Sequence, residues 1–197
     1  DMISVGKLYL KFNFSFFAVI AFLIFADSSG MAVLSLTACI LHEGGHLLAM
    51  ALCGIYPDKI TFYGGGIAIE KLGIEQISDA CRIVILSAGC TVNFLLSSIY
   101  LFAPENEMIQ VLSAVNLLIG IFNALPIGYF DGARILEILL VRIMRPSTAT
   151  IVKKIIGGLC SAVIIGGIVY YCVFSGKTVS ISLGFAMLYL IIAQFVG

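Results

Sequence analysis

Charge is scarce in this sequence. Lys and Arg number eleven, as do Asp and Glu, so only 11% of the 197 residues are charged and the formal net charge is zero. Without a basic excess there is no electrostatic footprint for nucleic acid. So little charge beside 61% hydrophobic residues and a mean hydropathy of +1.13 excludes an ordinary soluble domain. CxxC pairs are also missing. Cys39, Cys53, Cys81, Cys90, Cys160 and Cys172 sit mostly in apolar runs and read as small buried hydrophobes, not as a disulfide framework or a thiolate zinc site. No convincing small-residue cleavage site follows the apolar run 12–25, which therefore reads as a retained anchor, not a signal peptide. Internal repeats and low-complexity tracts are not evident. Histidine occurs twice, at His42 and His46.

The abundant feature is apolar sequence in lengths that suit a bilayer, whose hydrocarbon core of about 30 Å takes roughly 20 helical residues. Six such runs are expected near 9–25, 31–53, 80–103, 108–125, 155–174 and 178–196, the first interrupted by Lys11, whose amine can snorkel, and by Asn13. With the N-terminus inside, Lys7, Lys11, Lys59, Lys71, Arg82, Arg134, Arg142, Arg145, Lys153 and Lys154 all fall on the cytoplasmic side and Lys177 alone outside. Both termini are therefore expected in the cytoplasm.

Two connections are more than loops. Lys59–Tyr63 and Ile67–Glu70 flank Gly64, Gly65 and Gly66, the pattern of a β-hairpin. From Asn123 to Gly132 an apolar helix is broken by Pro126 and Gly128 and carries Asp131; unwound backbone at membrane depth persists only where protein or a water-filled cavity satisfies it. The fold class is thus an all-α polytopic membrane protein of about six transmembrane helices, with a small membrane-associated β-hairpin and one broken helix.

The chemistry centres on His42-Glu43-Gly44-Gly45-His46, inside the second apolar run. Residues four apart share a helix face, so both imidazoles can bind one metal ion, while Glu43, about 100° round the helix, can reach a water on that ion without ligating. Ionisable groups placed in a membrane span default to function because burying them unpaired is costly. A catalytic zinc ordinarily takes three protein ligands. Lacking a third histidine, the chain should supply a carboxylate, and Asp131 is the acid in the broken segment, although an aspartate there also suits the N-cap of a helix beginning near Gly132. Cys39 is a weaker third ligand.

These residues resemble the site-2 protease family of intramembrane metalloproteases, whose pattern is HExxH on one span and N-x-x-P-x-P-x-x-D-G on another. The match here is His42-Glu43-x-x-His46 and Asn123-x-x-Pro126-x-Gly128-x-x-Asp131-Gly132. Ala88-Gly89-Cys90-Thr91-Val92-Asn93 is similar to the family's AGPxxN, and the Tyr63–Gly66 glycines to its hairpin. Gly128 and Cys90 stand where the family usually has proline. The likeness covers about 31–145, taken as the catalytic core of a single domain, 1–197, without the C-terminal CBS domain that some relatives carry. It implies Zn2+ held by His42, His46 and Asp131, Glu43 as general base, and Asn123 and Pro126 in a loop that positions substrate. Gly64, Gly65 and Gly66 would present a strand edge to an unwound substrate, and Asn93 is assigned a structural role. The six-span branch it approaches includes a sporulation protease acting on a membrane-tethered sigma-factor precursor. The implied partners are therefore the lipid bilayer, a membrane-tethered protein such as a transcription-factor precursor or anti-sigma factor, and a regulatory membrane protein. The implied location is the bacterial plasma membrane.

The chief rival is a metal-ion transporter with a His/Asp site, against which the missing repeated half counts. Serine catalysis fails for want of a GxSG motif with a separate histidine, and aspartyl catalysis for want of a second aspartate facing Asp131 from another span.

Overall fold

A computed structural model describes residues 2–5, 8–27, 30–64, 66–73, 76–102, 105–175 and 191–192. Gly65, Lys7, Lys177 and, apart from 191–192, the expected span 178–196 lie outside the described residues. The chain divides into two compact units, Asp1–Gly120 and Ile121–Gly197.

The first unit opens with strands β1 (Met2–Val5) and β2 (Leu8–Phe12), then helices α1 (Phe14–Ala26) and α2 (Met31–Leu52), strands β3 (Lys59–Tyr63) and β4 (Gly66–Glu70), helix α3 (Asp79–Ser97) with a 3-10 turn at Ser98–Phe102, and most of α4 (Glu107–Ala124). The expected hairpin forms, with Tyr63 opposite Gly66 and Lys59 opposite Glu70. It belongs to a larger sheet, ordered β1-β2-β3-β4, because β2 adds parallel to β3 and β1 antiparallel to β2. Here the expected first span needs correcting: of 9–25, the start is strand and the helix that follows has 13 residues, short of the roughly 20 that cross a bilayer. Lys11 and Asn13 mark the change. Phe12, opposite Phe62, stacks on it at 4.5 Å and 7° between ring planes, a cross-strand pair that fixes the register. The Gly64 amide donates to Ser15 Oγ at 3.0 Å, tying the hairpin tip to α1.

Helices Met31–Leu52, Asp79–Phe102, Glu107–Ala124 and Pro146–Ser175 are long and apolar enough to cross a membrane, matching the second to fifth expected runs. Their ends are satisfied locally: the Ala32 amide donates to Asp27 Oδ2 at 2.6 Å, and the Cys81 amide to Ser78 Oγ at 3.3 Å, with Asp79 in the first turn of α3. The packing is the inverse of a soluble protein's. On α2 the buried stripe is Ala38, His42, Gly45, His46, Ala49 and Met50, while Leu41, Leu48 and Leu52 face outward. On α3 the stripe is Ile85, Gly89, Cys90 and Asn93. Small and polar residues at the seam and leucines outside are what lipid as solvent selects. A Cβ on Gly45 would lie 2.8 Å from the Ala88 carbonyl oxygen, so glycine sets how closely α2 and α3 approach.

In the second unit the end of α4 gives way at Leu125 to an irregular turn, followed by α5 (Asp131–Val141) and α6 (Pro146–Ser175). Gly128 has φ +56, which proline, held near −65°, cannot adopt. A proline at 128 could therefore not take this turn. Gly132 is equally constrained, since a Cβ there would run into the Ala124 carbonyl oxygen and lie 2.8 Å from that of Leu125. Lys153 of α6 pairs with Glu137 of α5 at 2.9 Å.

Candidate metal centre

His42 and His46 are both buried on the inner face of α2, as their spacing requires. The ring centroids are 4.8 Å apart with planes at 86°, and the two Nε2 atoms lie 3.1 Å apart. Each Nδ1 meets an oxygen of α3: His42 Nδ1 the Asn93 Oδ1 at 2.6 Å, and His46 Nδ1 the Ile85 carbonyl at 2.7 Å. A carbonyl oxygen only accepts, so each Nδ1 carries the hydrogen, and in the neutral ring each Nε2 turns a lone pair toward the other. Two such atoms do not hydrogen-bond to each other, but they are placed as ligands of one cation. At Zn–N distances of about 2.0–2.1 Å, tetrahedral geometry puts two ligand nitrogens roughly 3.3 Å apart.

Space has been left for an ion. A Cβ on Gly89 would fall 2.6 Å from His46 Nε2 and 2.7 Å from His42 Nε2 and Cε1. That glycine keeps α3 bare where the nitrogens converge. Asn93, assigned a structural role from the sequence, hydrogen-bonds a candidate metal ligand, a partnership the sequence reading did not name. The signal available was the AGPxxN-like stretch itself.

Glu43 is half-buried on α2 next to His42. In the second unit Asp131 is buried and is the first residue of α5; Phe130 takes the N-cap position that the sequence left open to Asp131. Asn123 lies in the last turn of α4 and Pro126 in the irregular turn, both half-buried. As chemistry, His42 and His46 of the first unit offer two buried imidazole nitrogens and Asp131 of the second a buried carboxylate oxygen, donor types that each suit zinc. Gly64 follows β3 in the hairpin turn, Gly66 opens β4, and β4 is an edge of the sheet.

Known proteins agree with this picture. The model of peptidase family M50 matches residues 103–167. A curated zinc metalloprotease of Methanocaldococcus jannaschii is 27% identical over 146 residues, covering 68% of this chain, which spans 42% of that relative's length. The solved site-2 protease from Methanocaldococcus jannaschii shares the fold with a TM-score of 0.64 at 20% identity, over 98% of this chain and 92% of that one. With four apolar helices of spanning length the chain is an integral membrane protein, similar over residues 103–167 to peptidase family M50 and in fold to the solved site-2 protease.

Proposed function

We propose that this chain is an intramembrane zinc endopeptidase that hydrolyses a peptide bond in or near a transmembrane segment of a membrane-tethered protein. The observation that carries the proposal is the histidine pair, with both Nδ1 atoms held by α3 and both Nε2 atoms converging beside a glycine. His42, His46 and Asp131 would hold the ion. When bound, zinc supplies a Lewis acid that polarises the scissile carbonyl and acidifies water to a pKa of about 7. Glu43, one residue along α2 and turned from the ligand face, takes the proton from the attacking water and returns it to the leaving amine. Asn123 donates to the developing oxyanion, and Pro126 shapes the turn that presents it. The catalytic core falls within 31–145.

A helical substrate shields its own peptide bonds and must unwind to be cut. As an edge strand, β4 offers backbone groups to which an extended segment can add, with Gly66 at its head and Gly64 just after β3. The distribution of Lys and Arg supports cytoplasmic termini, and the resemblance of the two motifs supports a bacterial plasma-membrane enzyme acting on a transcription-factor precursor or anti-sigma factor under a regulatory membrane protein.

The test is Glu43→Gln in the full chain, assayed with a tethered peptide substrate and by zinc content. Loss of cleavage with zinc retained supports the reading, and persisting cleavage overturns it. Metal flux without proteolysis in the unaltered protein would favour a carrier. Asp131→Ala should lower zinc occupancy, and full occupancy would remove Asp131 from the ligand set.

A further inference from the structure

Among the described residues, two of the three largest fully buried side chains are carboxamides, Asn93 and Asn116, each 0% exposed. Burying an amide in an apolar setting costs several kcal/mol unless it is hydrogen-bonded, so their pairing calls for an account. Asn116 Nδ2 donates to the Leu112 carbonyl at 2.9 Å, one turn back on α4. Asn93 Nδ2 donates to Asn116 Oδ1 at 2.9 Å, and Asn93 Oδ1 meets His42 Nδ1 at 2.6 Å. The direction of this chain is forced from its far end. The Leu112 carbonyl can only accept, so the NH2 of Asn116 must face it and the oxygen of Asn116 must face Asn93. That oxygen in turn requires the NH2 of Asn93, leaving the Asn93 oxygen for His42.

We propose that Asn116 is a positioning residue that sets the tautomer of His42 through the Asn93 amide. This rests on His42 being a zinc ligand and adds what keeps it one. A carboxamide flips with little change in shape. Flipped, Asn93 would present its NH2 to His42 Nδ1, move the ring proton to Nε2 and occupy the lone pair that zinc needs. The other group holding Asn93 Nδ2 is the Ala38 carbonyl at 3.4 Å, a long contact. His46 needs no such relay, because its Nδ1 is held by the backbone carbonyl of Ile85, which cannot flip.

The chain's two histidines make the test direct. The full chain, labelled with 15N-histidine in detergent, shows four ring nitrogens, whose shifts report the tautomer of each residue without zinc. The unaltered protein should show both rings protonated at Nδ1. Asn116→Leu should give His42 a population protonated at Nε2 while leaving His46 unchanged, and should weaken zinc binding by about 10–100-fold. Asn116→Asp, which keeps an acceptor facing Asn93, should retain the original His42 tautomer. In an Asn93→Asp background, whose ionised carboxylate has no donor end, adding Asn116→Leu should no longer shift His42. If Asn116→Leu does not fold, Asn116→Ala carries the same expectation, with the His46 signals as the check on folding. An unaltered His42 tautomer in the folded variant overturns the proposal. The ligand reading fails separately: zinc added to the unaltered protein would then leave both Nε2 shifts where they were.

Discussion

Gly89→Ala places one methyl group where the candidate ligands converge. The added carbon would sit 2.6–2.7 Å from His46 Nε2 and His42 Nε2, about 0.7–0.8 Å inside the 3.4 Å at which ordinary contact begins. The rings cannot simply retreat, since hydrogen bonds of 2.6 and 2.7 Å hold their Nδ1 atoms to Asn93 and Ile85 of the same helix. Overpacking of this kind costs about 1–3 kcal/mol. In the zinc-free protein the imidazoles can swing aside, giving up hydrogen bonds. In the zinc-bound protein they cannot, so the strain falls on binding and should weaken zinc by about 5- to 150-fold. Gly158→Ala is the control, because a Cβ there meets nothing within 4 Å. Competition against a chromogenic chelator measures the affinity, and a thermal melt of the zinc-free protein measures folding. Zinc affinity and cleavage equal to those of the unaltered protein would refute both the placement of the rings and the role given to Gly89.

Gly132→Ala should destabilise by at least about 1–3 kcal/mol, because its Cβ would strike the Ala124 and Leu125 carbonyls, which are backbone and yield little; an unchanged melting temperature would contradict the turn at 125–130. Asp58 accepts from the Leu72 amide at 2.7 Å and from Lys71 at 3.1 Å, and these bonds hold its carboxyl below the ordinary value of 3.8. A depressed carboxyl contributes stability in full above its unfolded pKa and loses it as pH falls through the folded one. Hydrogen exchange at Leu72 should therefore be slow near neutrality and accelerate, beyond the intrinsic pH dependence, only below about 3.8. Asp58→Asn should show no such step, and a step in that variant would assign the protection to another group.

Several elements were legible because their causes are local. The i, i+4 spacing of His42 and His46 puts both on one helix face whatever surrounds the helix. Four of the expected spans follow from apolar length, and the hairpin from glycines between β-prone runs. The first span was misread at its start because Leu8–Phe12 is apolar enough for a helix, and its strand state depends on pairing with Lys59–Phe62, some fifty residues away. Asn116, in a plainly apolar helix, carried no local sign of a role.

By itself the sequence determined the chemical type of the site: two imidazoles on one helix face, a carboxylate beside them, and an acid in a broken segment further on. Tertiary structure alone decided which nitrogen of each ring is turned toward the other ring, because that depends on oxygens of Ile85 and Asn93, 39 and 51 residues away, and on Asn116 beyond them. Helical periodicity is a property of neighbouring residues, whereas a tautomer is set by whatever hydrogen-bond partner the fold brings to the ring.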